Sequence, residues 1–556
     1  MSRKGKTQNH LANKIELRPG ENIGNNSAEN DDEFLFSCFV DHPALSVVAD
    51  ITSSKHFVSA RTGAGKTAIL RMISKNNTNV SEVDLLELSL SYVANSDIIQ
   101  FLSSIGVDLD LFFQVLWKHI FCIEYIRSRF SVTDANKSRS LFRRILDTFE
   151  SDDRRKSALK YLAEWENKFF ITMDENIKEV TQKIEKQVDT NLSVDLEKFK
   201  SKAGYARSLS QEKKSALVAR AKKIVDSDLL ADLGKVMDLL STFDKEEKYK
   251  KQNHYILIDG IDEKWVDETI RYKLIRALIE SLRSFRKIQN LKIIVAIRAD
   301  VLERVIQETD FSGAQREKYD DYFLRVKWNK DQMFDLVNKR INFLFRKKYS
   351  SENVYYSDIF DPKVGSVDSF SYILDRTLYR PRDIISYLNI CLKLCEGKSK
   401  VSQTVIRKAE EEYSRIRLQA LVEEWNTALP YLQFVFSAIR SRGNAFQESD
   451  FFDHTFIDEI VLSVAQENYE PRDPVSKLSR SSLTHGNEIP YEDMSKQIIS
   501  DLYRIGVIGL KTNVNQSFIF SHKDIATVLP ATISKDTKIR FHQMTRIGLN
   551  LSNVKS

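Results

Sequence analysis

Seven consecutive residues, Arg61-Thr62-Gly63-Ala64-Gly65-Lys66-Thr67, join the apolar segment HFVSA to the helix-forming segment AILRMI. A glycine-containing turn between a strand and a helix is a phosphate cradle. Its glycines let backbone N–H groups converge on β- and γ-phosphate oxygens, and the helix start adds a partial positive charge. Lys66 would neutralise phosphate oxygens, and the Thr67 hydroxyl would ligate Mg2+. The spacing satisfies G-x-x-x-x-G-K-[ST] except that Ala60 stands at the first glycine, a position alanine fills if its φ is negative. The candidate nucleotide-contacting residues are therefore Ala60, Arg61, Thr62, Gly63, Ala64, Gly65, Lys66, Thr67 and Ala68.

Such a cradle needs a second apolar strand that ends in a carboxylate. Tyr255-Ile256-Leu257-Ile258-Asp259 supplies it, followed by Gly260-Ile261-Asp262-Glu263. Asp259 would hold Mg2+ through water, alongside Thr67. Asp262 or Glu263, where the chain leaves the strand, would orient and polarise a water for in-line attack on the γ-phosphate; otherwise they are solvated turn acids.

The run apolar-Asp-Gly-apolar-Asp-Glu, together with the upstream P-loop, resembles the Walker B arrangement of the signal-transduction ATPases with numerous domains, especially the NACHT type. It is similar to that of the KAP-type P-loop ATPases as well. The resemblance covers residues 34–90 and 254–396 and implies the additional-strand division of P-loop ATPases, which includes the AAA+ proteins. It implies ATP and Mg2+ as ligands. It also implies a strand between the two motif strands that ends in a polar sensor, for which LKIIVAIRAD offers Arg298 with Asp300 just beyond. Arg298 would sense the γ-phosphate, or else pair with Asp300 or Asp259. The implied catalytic set is Lys66, Asp262, Glu263 and Arg298. A helical lid is implied too, and Leu378-Tyr379-Arg380-Pro381-Arg382-Asp383 resembles its nucleotide-touching motif, with Pro381 at a helix start. Arg382 is the first sensor candidate and Arg380 the second; the alternative is a capping role for Asp383 beside exposed arginines.

The elements around these residues have the pattern of an α/β protein. Apolar strands are expected at 56–59, 255–259, 291–298 and 323–328, separated by helical segments, which means a parallel sheet covered by helices. No proline lies between Pro43 and Pro362, so residues 91–253 are free to be helical throughout. They begin with the aromatic-rich DLFFQVLWKHIFCIEYIRSRF and continue into charged stretches such as NIKEVTQKIEKQVDTNLSVDLEKFKSK. Apolar residues at three- and four-residue spacing there suggest antiparallel hairpins or a short coiled coil, serving as a solvated arm or as a partner-binding one. Amphipathic helices are expected at 330–347 and 380–396, with a looser stretch between them. Towards the C-terminus, SKQIISDLYRIG, VIGLK, the turn TNVNQ and SFIFS give helix, strand, turn and strand, the order of a winged-helix end. The expected organisation is a flexible segment at 1–32, a P-loop ATPase core at 33–90 and 254–328, an all-helical insertion at 91–253, a helical lid at 329–422 and a winged-helix-like domain at 423–556.

Composition excludes other classes. With 42% hydrophobic residues, 17 Gly and 9 Pro in 556 residues, the chain is neither collagenous nor mostly disordered. Its net charge of +6 is too diluted to argue for nucleic acid by itself. Cys38, Cys122, Cys391 and Cys395 are too few for a disulfide scaffold, and the last two lack the second pair or histidines that zinc requires. No run approaches 18 uncharged apolar residues and MSRKGKTQNH has no hydrophobic signal region, so a cytoplasmic protein without a membrane partner is expected. The guanine-reading Asn-Lys-x-Asp is absent, since Asn329-Lys330-Asp331 lacks the spacer, which favours ATP over GTP. There is no LSGGQ-like or G-x-S-x-G pattern.

Two functions fit. One is an ATP-dependent switch or assembly factor that forms a homo-oligomer and meets a protein partner or effector through the insertion or the winged helix; by analogy, antiphage defence is its setting. The other is an AAA+-like ATPase that handles DNA with its winged helix. For the second, the helix offers only Lys496 and Arg504 and the wing only Lys511, although RSFRKIQN and NKRINFLFRKKYS are basic.

Overall fold

The computed structural model describes residues 16–85, 99, 109–130, 153–165, 227–243, 252–263, 265–309, 319–348, 353–426, 428–442, 452–467, 473–485, 488–513 and 515–551. Its contacts form two compact units. One comprises Asp41–Arg61 and Lys66–Val326; the other comprises Met1–Val40, Thr62–Gly65 and Lys327–Ser556.

The first unit is built on strands β1 (Phe57–Ala60), β2 (Val80–Val83), β3 (His254–Ile258), β4 (Leu291–Arg298) and β5 (Phe323–Arg325). They form one sheet in the order β2-β3-β4-β1-β5, every neighbouring pair parallel. β3 and β4 are near-continuous apolar runs because both faces of a central parallel strand are covered. β4 lies between β1 and β3, so the sheet has the additional strand that the resemblance implies. Two details differ from expectation. β5 stops at Arg325, short of 328, and β2 was not foreseen, because VSEV at a sheet edge is mostly half-exposed and carries little apolar signal.

Helices cover this sheet. α1 (Lys66–Asn76) follows β1, α2 (Asp110–Phe130) packs against β3 and against α5 (Glu268–Phe285), and α3 (Asp153–Trp165) and α4 (Ser227–Phe243) pack on each other and on α2. α6 (Ala299–Glu308) follows β4. α2 is apolar almost all round and is buried accordingly, with Trp117 Nε1 donating to Leu274 O at 2.9 Å. The aromatic-rich part of the expected insertion, Asp110–Phe130, is therefore a covering layer of the sheet. α3 extends that layer through buried Leu159, Leu162 and Trp165. The charged stretch expected as a coiled coil lies outside the described residues.

In the second unit, residues expected to be flexible are fixed. Leu17 and Ile23 are buried, and the Ile23 N–H donates to Asn389 Oδ1 at 2.9 Å. Arg340, on α7 (Lys330–Lys348), donates to Ile23 O at 2.8 Å and to Asp31 Oδ2 at 2.6 Å, with both ionic side chains almost wholly covered. Truncating one partner leaves the other charge buried alone. Arg340→Ala should therefore destabilise this unit by about 3–5 kcal/mol, read as a lowered urea midpoint; an unchanged midpoint would mean that the segment is held by its apolar contacts alone.

Among the described residues, the other regular elements of this unit are helices, apart from the ribbon of β6 (Lys363–Val364) and β7 (Val367–Asp368) and a C-terminal pair. α8 (Pro381–Lys393) packs on α9 (Gln403–Trp425). α10 (Tyr491–Ile505) ends on Gly506 at φ +89°, a left-handed cap, and leads into β8 (Ile508–Lys511). β8 pairs antiparallel with β9 (Lys538–Phe541), whereas SFIFS, the expected partner, contributes a single bridge in which Leu510 and Ile519 exchange backbone hydrogen bonds. The chain turns away after Phe520, whose carbonyl accepts from the Lys523 and Asp524 N–H groups. Among the described residues, no helix is long and apolar enough to cross a membrane.

Candidate nucleotide site

In a parallel sheet all C-terminal strand ends lie along one edge, and in the first unit that edge gathers the charged residues. Ala60 ends β1 in register with Arg298, which ends β4; Asp259 follows β3. Lys66 is the first residue of α1 and Thr67 the second, both half-buried, as are Arg61 and Ala68. Burial pushes the Lys66 ammonium below its ordinary pKa, opposed by the nearby carboxylates of Asp262 and then Asp259. Asp262 shows the mirror image. Burial raises its pKa, while Lys66 and Arg298 pull it down. Its Oδ2 accepts the Arg298 backbone N–H at 2.6 Å, which ties the β3 turn to the end of β4.

The Arg298 guanidinium is forked onto Asp300, with Nε at 3.1 Å and Nη2 at 2.7 Å. The pairing with Asp300 is thus the arrangement adopted in this structure. Asp259 is exposed and accepts the Gly260 N–H at 2.9 Å. Glu263 is exposed, its carbonyl accepting from Arg271 Nη1 at 2.7 Å. Lys66, Asp262, Asp259, Arg298 and Asp300 are therefore one electrostatic cluster, and Glu263 lies beside Gly260.

The second unit holds the loop Thr62–Gly65. Gly63 at φ +76° and Gly65 at φ +94° adopt the left-handed conformation that a side chain resists, and a Cβ on Gly63 would lie 2.8 Å from Arg382 Cβ. Arg380 Nη1 donates to Thr62 O at 2.8 Å, the Arg382 N–H donates to Gly63 O at 3.3 Å, and Trp328 Nε1 donates to Ala64 O at 2.8 Å. Arg380 is buried and forks onto Asp383 at 2.8 and 3.0 Å, so Asp383 is an ion-pair partner as well as the acidic residue of the first helical turn. Arg382 is half-buried and its Nε donates to Asn26 O at 3.0 Å. Tyr379, immediately before, is held at φ +53°, a strain of about 1–3 kcal/mol for a non-glycine residue that the surrounding bonds must offset.

The contacts of Trp328 and Asn26 were not foreseen. Asn26 acts through its carbonyl, which no residue type announces; Trp328 stands alone before the Asn329 cap, and its polar N–H was the signal available.

The chemistry fits a nucleotide with Mg2+. A desolvated ammonium among carboxylates, at the start of a helix that follows two left-handed glycines, suits phosphate; Thr67 and Asp259 are the oxygen donors that would hold the metal.

Residues 331–422 match the family model of the FunZ-associated C-terminal helical domain. The transposon gamma-delta 80.3 kDa protein of Escherichia coli (strain K12) is 22% identical over 551 residues, which span 95% of this chain and 67% of that protein. Allergen Alt a 2 of Alternaria alternata is 26% identical over 153 residues, 27% of this chain and 78% of that protein. The Aeropyrum pernix ORC2 protein, solved as ADPNP–ADP complexes, aligns over 96% of this chain and 93% of its own at 10% identity and a TM-score of 0.34. On the order and direction of its own strands and the loop that follows β1, the chain has the α/β fold of a P-loop NTPase with helical domains.

Proposed function

We propose that the chain is a Mg2+-dependent ATPase that works as a nucleotide-controlled switch. The observation that carries this is the cluster in which Lys66, opening the helix directly after the left-handed glycine loop, meets the charges of Asp262 and Arg298 from the C-terminal ends of the adjacent strands β3 and β4. In this proposal the N–H groups of the loop and Lys66 hold the β- and γ-phosphates. Asp262, as carboxylate, orients the attacking water, and Arg298 leaves Asp300 to meet the γ-phosphate. A residue that must exchange one anionic partner for another gives the switch its two states.

The resemblance to signal-transduction ATPases extends the proposal to a homo-oligomer with a separately encoded protein effector, as in antiphage systems. DNA handling is the weaker alternative. The winged-helix-like end gives it no support. There Lys496 is paired with Glu492 at 2.7 Å, and Arg504 is paired with Asp501 at 2.9 Å and lies over the Trp425 ring. ATP turnover of the purified protein, alone and with duplex DNA, decides between them when molecular mass is followed by light scattering in ATP and in ADP. Turnover indifferent to DNA with a mass that depends on the nucleotide is expected; DNA-stimulated turnover at constant mass would overturn the switch.

A further inference from the structure

Successive carbonyls of the phosphate loop, those of Thr62, Gly63 and Ala64, each accept a hydrogen bond, and the donors are Arg380, the Arg382 N–H and Trp328. In a planar trans peptide the C=O of one residue and the N–H of the next point in opposite directions. Fixing these carbonyls therefore fixes the N–H groups of Gly63, Ala64 and Gly65 on the opposite side, where an anion would be held. We propose that Trp328 and Arg380 are positioning residues that pre-form the anion nest by clamping its carbonyls, without touching the nucleotide. This rests on the nucleotide-binding function proposed above and adds to it how the nest is kept ready between turnovers.

The arrangement is built rather than incidental. Arg380 is almost fully buried, and its guanidinium is aimed by Asp383 and, at 3.5 Å, by Glu424, so it has no freedom to leave Thr62. Trp328 approaches from a different stretch of chain and packs its ring 3.7 Å from where a Cβ on Gly65 would be. Gly63 and Gly65 are the residues whose left-handed φ lets consecutive peptides turn the same way, and a loop of such conformations is floppy unless something holds it. The assignment also separates the paired arginines. Arg380 is committed to the loop backbone and its carboxylates, whereas the Arg382 guanidinium donates to Asn26 O at 3.0 Å.

Trp328→Phe is the informative variant, because it removes the indole N–H and keeps an aromatic ring. Arg380→Ala also breaks the buried pair with Asp383 and is expected to cost fold, so it serves only as a comparison. In the nucleotide-free protein, amide hydrogen exchange of peptides spanning 60–68 should quicken in Trp328→Phe, with exchange elsewhere and the melting temperature little changed. KM for ATP should rise about threefold to tenfold, the effect of one lost hydrogen bond, while kcat stays within about twofold, because the nest binds ground state and transition state alike. Unchanged exchange overturns the clamp. Faster exchange with unchanged KM overturns its role in orienting the nest. If the wild-type protein binds no ATP, the nucleotide-binding function fails, while the exchange comparison still decides whether the clamp exists.

Discussion

Lys66→Ala should raise the dissociation constant for ATP more than about a hundredfold and leave the far-UV circular dichroism spectrum unchanged. Hydrogen bonds to charged groups are worth about 1.5–3 kcal/mol each, and an ammonium that reaches β- and γ-phosphate oxygens makes more than one. A loss of about 3 kcal/mol corresponds to that factor. Stability argues the same way. Burial holds the Lys66 pKa below its ordinary value of 10.5, so the folded protein binds this proton less tightly than the unfolded chain. The stability associated with the neutral amine is lost as pH falls through that window, and at neutral pH the charged Lys66 is a net cost to folding. Removing it should not unfold the protein. Isothermal titration with ATP and Mg2+ checks the affinity, and retained binding would refute the site.

What could be seen in the sequence, and what could not, follows from the range of the forces involved. β3 and β4 were legible because a central parallel strand is apolar on both faces, and the P-loop was legible because glycine, lysine and threonine have to stand at fixed offsets from a strand and a helix. The candidate cluster was legible to the extent that it hangs on element ends: Asp259, Asp262 and Arg298 lie at or just beyond strand ends, and Lys66 opens the helix after β1. β2 was invisible because an edge strand of VSEV need not be apolar. α2 was legible as a helix but not in its place. Its aromatic content marks a buried helix, but periodicity does not report against what it is buried. The loop clamp could not be read at all, because its acceptors are carbonyls, which every residue possesses, and its donors lie more than 250 residues away in the chain.

Asp262→Asn should bind ATP with near wild-type affinity and hydrolyse it about a hundredfold to ten-thousandfold more slowly, the range that loss of a positioned general base produces. Geometry favours Asp262 over Glu263. The Asp262 carboxylate is anchored by the Arg298 N–H at 2.6 Å within the cluster that contains Lys66, whereas Glu263 is exposed. A residue that positions a water must itself be positioned, and the bond from the Arg298 N–H gives Asp262 that order. Glu263→Gln should accordingly leave turnover within a few-fold of wild type. The pH profile adds a second signature. Burial raises the Asp262 pKa above the ordinary 3.8, so the folded state holds this proton more tightly than the unfolded chain, and stability falls as pH rises through the window above 3.8. At neutral pH the carboxylate therefore costs stability, and the asparagine variant should unfold at the same or a higher urea concentration than wild type while turning over far less ATP. Wild-type turnover should also decline on the acid side at a higher pH than an ordinary aspartate would dictate, and Asp262→Asn should lack that limb. Slow turnover combined with undiminished stability is the pattern of a charge retained for chemistry. Unchanged turnover would move the role of base to Glu263 or Asp259, and Glu263→Gln and Asp259→Asn, measured in the same assay, would show which of them carries it.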